Sequence, residues 1–322
     1  MNSPIDGLLR SPVRRAIPAD AVESRWALPD GHLLRRIDWA APANPRGSIL
    51  FMPGRGDAYE KWLETLDGWH REGWQVTAAD WRGQAGSGRL GRDASTGHIA
   101  DFAIWVADYA ALFAQWRATT PGPHVAVAHS MGGHLLLRAL VEGAVAPDAA
   151  VLSAPMLGIH PAMIPASVLH RVAQGIVRLG DPRRPAWKGG EKPGAAPRGR
   201  SLLLTHDDTR YDDEDWWRRA RPAIAMGPAS WGWVERALAS IRTIERPGAL
   251  EAITVPTLLL GTSIDGLVSW PAIRRAAARL PAGELTAFGS ECRHEILREV
   301  DPVRDRALGA IRDFLDRHAP GA

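Results

Sequence analysis

The chain has 322 residues, 45% of them hydrophobic, with 39 Lys and Arg against 36 Asp and Glu for a net charge of +3. Near-balance without a clustered basic stripe excludes nucleic acid as a partner, and the length supports one large α/β domain or two smaller ones. The lone cysteine, Cys292, excludes an intrachain disulfide and a Cys-rich metal site, and reads as a free thiol packed in a loop.

The N-terminal arginines Arg10, Arg14 and Arg15 are not followed by the apolar stretch of a secretory signal. No run of about 18 apolar residues offers a transmembrane helix. Both observations predict a cytoplasmic protein, with peripheral contact to the inner membrane face left open. RWALPDGHLLRRIDWA then reads as two short strands around an Asp30-Gly31 turn. RGSILFMPG is an apolar run stopped by Pro53-Gly54, the pattern of a buried strand entering a loop. Residues 58–72 carry Trp62, Leu63, Leu66 and Trp69 at helical spacing, and 74–80 read as the next strand. The Gly-rich loop RGQAGSGR comes next. From Asp101, a plausible N-cap, to about Arg117 the apolar residues again repeat with helical period. HVAVAH (124–129) is a strand followed by a helix, and AAVLSAP (149–155) is another strand.

Strands alternating with helices at short spacing define an α/β fold with a mainly parallel central sheet flanked by helices. The alternation breaks over 156–240, which holds helical pieces and the Pro- and Gly-rich PRRPAWKGGEKPGAAPRGR. It resumes with a strand at 255–261, a helix over 270–280, a strand at 284–289 and a closing helix over 301–318. This organisation divides the chain into an N-terminal extension (1–24), a first core part (25–155), an inserted, mostly helical cap (156–240) and a second core part (241–322). Inserts of this length are usually functional lids.

The chemistry centres on AHSMG. Ser130 falls between a strand ending near His129 and a helix beginning near Gly132, with Ala128 and Gly132 two residues to either side. A tight strand-to-helix turn needs small residues at those positions and strains the Ser between them. The motif is G-x-S-x-G with one Gly replaced by Ala. A hydroxyl barely ionises at neutral pH, so a nucleophilic Ser needs a base, and the base needs a carboxylate. In this architecture the order is Ser, acid, His. TSIDGLV, after the 255–261 strand, offers Asp265; SECRHEIL, after the 284–289 strand, offers His294.

His129 and His134 flank the Ser too closely to face it, and His129 is expected to pack beneath the turn. Ser87 lacks such a turn, Asp57 lies out of order, and Glu295 is expected to face elsewhere as a helix-start carboxylate. The developing oxyanion needs two N–H donors. The expected pair is the backbone N–H of Met131, at the helix start, and that of Arg55, in FMPGRGD, where Pro53 has no N–H. The Arg55 side chain reads as solvent-facing or as a partner for an anionic head group. DWRGQAGSGR lacks the G-x-G-x-x-G order of a dinucleotide site, and no ligand spacing implies a metal; no cofactor is expected.

These residues resemble the α/β-hydrolase superfamily, and within it the bacterial lysophospholipase and monoacylglycerol-lipase-like branch of S33-type hydrolases. The matching pieces are PGRGDAYEKW, DWRGQAGSGR, GHIADF, AHSMGG, SAPMLGI and RHEILRE, with THDDTRY and GPASWGWV in the cap. The resemblance implies Ser130 as nucleophile, Asp265 as acid, His294 as base, and Arg55 and Met131 as oxyanion donors. It also implies ester hydrolysis of monoacyl lipids without a cofactor; a short-chain esterase, a peptidase or amidase, and a non-catalytic binding protein are the alternatives. The departures are Ala128 and Ala85, each where Gly is more usual. LTHDDTRYDDEDWW carries more acid than the branch leads one to expect. In the cap, Ile164, Val168, Leu169, Val172, Ile176 and Val177 form an apolar stripe beside His170, Arg171 and Arg178. Such a helix packs on its own core, lines an acyl tunnel, or makes transient contact with a membrane surface.

Overall fold

The structure, a computed structural model, describes residues 14–159, 166–188 and 199–321. Its strands are β1 (Ala21–Ala27), β2 (Leu33–Trp39), β3 (Gly47–Met52), β4 (Trp74–Ala79), β5 (His124–His129), β6 (Ala149–Ser153), β7 (Thr257–Thr262) and β8 (Gly283–Phe288). They form one sheet in the order β1-β2-β4-β3-β5-β6-β7-β8. β1–β2 and β2–β4 are antiparallel; every other pairing is parallel. The hairpin at the antiparallel edge turns where Asp30-Gly31 predicts. Gly31 sits at φ +83°, and the Asp30 carboxylate accepts the His32 N–H at 3.1 Å.

The helices are α1 (Leu63–Arg71), α2 (Phe102–Thr119), α3 (Met131–Val141), α4 (Ala166–Arg178), α5 (Ser201–Leu204), α6 (Asp208–Ala220), α7 (Trp231–Ile244), α8 (Trp270–Arg279) and α9 (Asp301–His318). Helices cover both faces of the sheet. One core packs α2, α3, α7 and α8 against Leu50, Ala126, Leu152 and Leu259. The other packs α1 and α9 against Phe51, Val127, Val151 and Leu258. Residues of the central strands therefore alternate sides yet are buried throughout and mostly apolar, as two-sided burial requires. α2 repeats Phe102, Trp105, Val106, Tyr109, Leu112, Phe113 and Trp116 on its buried face, and Asp101 caps it by accepting the Ala103 N–H at 2.8 Å.

α4 to α7 lie between β6 and β7. α7 runs unbroken through residue 240 and is capped by Ser230, which accepts the Trp233 N–H. The GHIADF loop pins this region to the core: Gly97 exchanges backbone hydrogen bonds with Pro228 and Ser230, and His98 Nδ1 meets Ser230 Oγ at 2.7 Å. Among the described residues no helix is long and apolar enough to cross a membrane.

Candidate active site

Parallel strands place the loops at their C-terminal ends along one edge of the sheet, and four such loops meet there. Ser130 comes directly after β5 with φ 51° and ψ −114°, a region non-glycine residues rarely enter. The turn is tight enough that its neighbours cannot grow. A Cβ on Gly132 would lie 2.5 Å from the carbonyl oxygens of both Met52 and Pro53. At position 128 the Ala methyl is fully buried and accommodated. α3 begins at Met131, one residue before the expected start, so the Met131 N–H belongs to the first turn, whose N–H groups have no intrahelical acceptor.

His294 lies in the loop after β8 and Asp265 in the loop after β7, and the structure brings both to Ser130. His294 Nε2 lies 2.9 Å from Ser130 Oγ, and His294 Nδ1 lies 2.8 Å from Asp265 Oδ2. Asp265 Oδ1 accepts the backbone N–H groups of Leu267 and Val268 at 2.8 and 3.0 Å. Burial pushes the Asp265 carboxyl up, but the adjacent His294 and these hydrogen bonds outweigh it and hold the group below the usual carboxylate range. The site is enclosed: Ser130 is 8% exposed and His294 1%. His129 packs under it, with its ring centroid 4.8 Å from that of His294 and 4.7 Å from Trp62.

The loop after β3 runs against Ser130; a Cβ on Gly54 would lie 3.1 Å from the Ser130 Cβ. Within it the Gly54 N–H donates to Asp57 Oδ2 at 3.2 Å and the Gly56 N–H to Gln84 Oε1 at 2.8 Å. DWRGQ serves as the scaffold of this loop. Trp81 Nε1 donates to the Pro53 carbonyl, and Asp80 accepts the Tyr59 N–H and the Arg35 guanidinium. Ala85 adopts φ 42°, which explains why Gly suits that position better.

Three expectations are corrected. The Arg55 side chain does not face solvent. It is buried beneath the segment between β6 and β7, stacks 5.4 and 5.3 Å from the rings of Trp187 and Trp233, and donates to the Gly227 carbonyl. Glu295 does stand at the start of a helical turn, as N-cap of the 3-10 turn Ile296–Arg298, but its side chain makes no cap hydrogen bond; it is buried against Lys61 and Arg298 instead. α4 does not present His170 with Arg171 and Arg178. His170 turns inward, with Nε2 2.9 Å from Glu235 Oε1, while Val168 and Val172 face out and Leu169, Ile176 and Val177 are half-buried. Ile164 lies outside the described residues.

The acid-rich stretch proves to be anchoring. Asp207 caps α6, Arg210 bridges Glu64, Asp207 and Asp301, and Glu214 pairs with Lys61 and Arg200. RHEILRE closes the His294 loop in the same way: Glu299 accepts the N–H groups of Arg293 and His206. Sequence reasoning missed Lys61, Gln84 and Glu299. The one available signal was Lys61 four residues after Asp57, the spacing of a helical ion pair.

His134, on α3 just after the Ser130 turn, has its Nε2 2.6 Å from Ser240 Oγ. Burial, reinforced by Arg138, pulls its pKa down to about 3. The unfolded chain takes up this proton below about pH 6.5 while the folded one refuses it until about 3. Stability is therefore expected to fall as the pH drops through that window, from this residue alone. Urea midpoints from pH 7 to 4 should show a shallower loss for His134→Gln than for the wild type.

An eight-stranded, mainly parallel sheet with a strained Ser after a central strand, and a His and an Asp after later strands, defines an α/β-hydrolase. The family model described as "Serine aminopeptidase, S33" matches residues 43–301, and the chain belongs to that family. It is 31% identical to lysophospholipase L2 of Escherichia coli K12 over 84% of this chain and 80% of that protein. It is 27% identical to the probable lysophospholipase L2 of Haemophilus influenzae over 84% of each. Its fold matches that of a soluble variant of monoglyceride lipase from Saccharomyces cerevisiae, with TM-score 0.74, 16% identity, and 95% and 97% of the two chains covered.

Proposed function

We propose that this protein hydrolyses carboxylic esters of monoacyl lipids, lysophospholipids or monoacylglycerols, through an acyl-enzyme on Ser130. The observation that carries the chemistry is the continuous chain Ser130 Oγ, His294 Nε2, His294 Nδ1 and Asp265 Oδ2, with 2.9 and 2.8 Å links. His294 takes the Ser130 proton as Oγ attacks the ester carbonyl, returns it to the departing alcohol, then activates the water that releases the fatty acid. Asp265 orients the ring and stabilises its cationic form. The N–H groups of Met131 and Arg55 receive the oxyanion. What supports Arg55 is its place: the loop after β3 that carries it runs against Ser130, where a Cβ on Gly54 would lie 3.1 Å from the Ser130 Cβ. The monoacyl class rests on the lysophospholipase relatives.

A fluorophosphonate probe should label the wild type and leave Ser130→Ala unlabelled. Turnover of lysophosphatidylcholine and monoacylglycerol should exceed that of short p-nitrophenyl esters and aminoacyl p-nitroanilides. Faster cleavage of the anilides would replace the esterase reading with a peptidase, and ester turnover surviving Ser130→Ala would remove the nucleophile.

In the same reading, the segment from 156 to 240 is a cap that docks transiently on a lipid surface. Val168 and Val172, one turn apart on α4, are 45% and 50% exposed, and Leu179 just beyond it is 89% exposed. Arg171 and Arg178 flank them, while the polar His170 and Gln174 side packs toward α7. An apolar face left in water beside basic residues suits an anionic interface. Phosphatidylglycerol-containing vesicles should co-sediment the wild type and retain several-fold less Val172→Asp; equal retention would discard this surface.

A further inference from the structure

A buried ammonium ties together two loops and a helix around the site. Lys61, 3% exposed at its side chain, places Nζ 2.8 Å from Asp57 Oδ1, 2.5 Å from Glu295 Oε1 and 3.1 Å from Glu214 Oε2. Those three carboxylates come from three different places. Asp57 belongs to the loop after β3, and its other oxygen accepts the Gly54 N–H. Glu295 is the residue next to His294. Glu214 lies on α6, in the segment between β6 and β7, where Arg200 and Arg218 also hold it. Arg298 completes the cluster by donating to Glu295 at 2.5 Å.

Stability alone does not account for such a group. Buried ion pairs lose much of their attraction to desolvation, and apolar side chains of equal volume often serve as well. What charge supplies here is geometry. The ammonium donates hydrogen bonds to Asp57 and Glu295 and forms an ion pair with Glu214 at 3.1 Å, so its position is set from three directions. Moving any one of these three segments breaks a contact to Lys61 and leaves a buried charge with one partner fewer.

We propose that Lys61 is a positioning residue that fixes the donor loop at Gly54 and Arg55 relative to His294. This rests on the acyl-enzyme reading above. Through Asp57 the ammonium sets where the Arg55 N–H points; through Glu295 it sets the loop that carries the base. Both distances matter most when the tetrahedral intermediate forms, because the oxyanion is then closest to its donors. Loss of Lys61 therefore acts on the chemical step rather than on substrate binding.

The test compares wild type with Lys61→Met and Asp57→Asn, each counted by fluorophosphonate titration so that rates refer only to folded, competent sites. With a p-nitrophenyl ester, kcat per titrated site is expected to fall at least tenfold while KM stays within threefold. Affinity for an aryl trifluoromethyl ketone, which forms a tetrahedral adduct, should fall by the same factor as kcat/KM. A melting temperature that drops while kcat per titrated site stays within twofold would make the cluster purely structural and overturn the inference. If Lys61→Met does not fold, Asp57→Asn decides alone, because an Asn oxygen can accept from Gly54 or from Lys61 but not both, which cuts the link between them while Lys61 keeps Glu295 and Glu214. A wild type that takes no label removes the acyl-enzyme reading, and this inference falls with it.

Discussion

Asp265→Asn should lower kcat by ~10⁴-fold while leaving the fold and melting temperature nearly unchanged. The reason lies in which hydrogen bonds each atom can make. Asp265 Oδ1 accepts two backbone N–H groups, from Leu267 and Val268, and Oδ2 accepts from His294 Nδ1. In the Asn variant the amide oxygen stays with the two backbone donors, since an NH2 there would face two N–H groups. The amide nitrogen then points at His294 Nδ1, which must become an acceptor. The imidazole proton moves to Nε2, the atom 2.9 Å from Ser130 Oγ, and the ring can no longer take the Ser proton. Kinetics with a p-nitrophenyl ester measure the loss, and a pH–rate profile should show it across the neutral range. A variant that keeps more than a tenth of the wild-type rate would show that the Asp265 carboxylate is not needed to set the tautomer.

The strand and helix pattern was legible because each element is buried on a face with its own period. α2 and α9 bury residues at helical spacing, and β3 and β5 are buried throughout because helices cover both sides. The positions of Ser130, Asp265 and His294 were legible for a topological reason. Loops after parallel strands must emerge on one edge, so order in sequence becomes proximity in space. What could not be read was the direction of long polar side chains.

Arg55 and Glu295 looked like surface residues by type, and both are buried because partners distant in the chain meet them: Trp187 and Trp233 for one, Lys61 for the other. No local rule predicts a partner 234 residues away. The same gap explains α4. Its apolar residues lie at helical spacing, and helical spacing alone says nothing about which side faces the protein. Glu235 and Arg242 on α7 decided that by drawing His170 inward.

Gly132→Ala is expected to cost about 3 kcal/mol or more of stability, because the new methyl would meet backbone rather than a side chain able to swing away. Both carbonyl oxygens it would approach at 2.5 Å, those of Met52 and Pro53, sit at the end of β3, which is hydrogen-bonded on both sides to β4 and β5. Neither can retreat without tearing a central strand from the sheet. At roughly 2 °C per kcal/mol for a chain of this size, the melting temperature should fall by about 6 °C. Gly309→Ala is the matched control: it lies within α9 with open space around it, so the same change there should stabilise by up to about 1 kcal/mol. Activity should fall further than stability explains. Met52 and Pro53 lead directly into Gly54 and Arg55, so any outward shift of the chain carries the loop proposed to hold the second oxyanion donor away from Ser130. A displacement near 1 Å at a reacting centre costs about 10²-fold in rate. Turnover per titrated site at a temperature where the variant is fully folded separates the two effects. A normal rate there would mean that the β3 end yields without moving the donor loop.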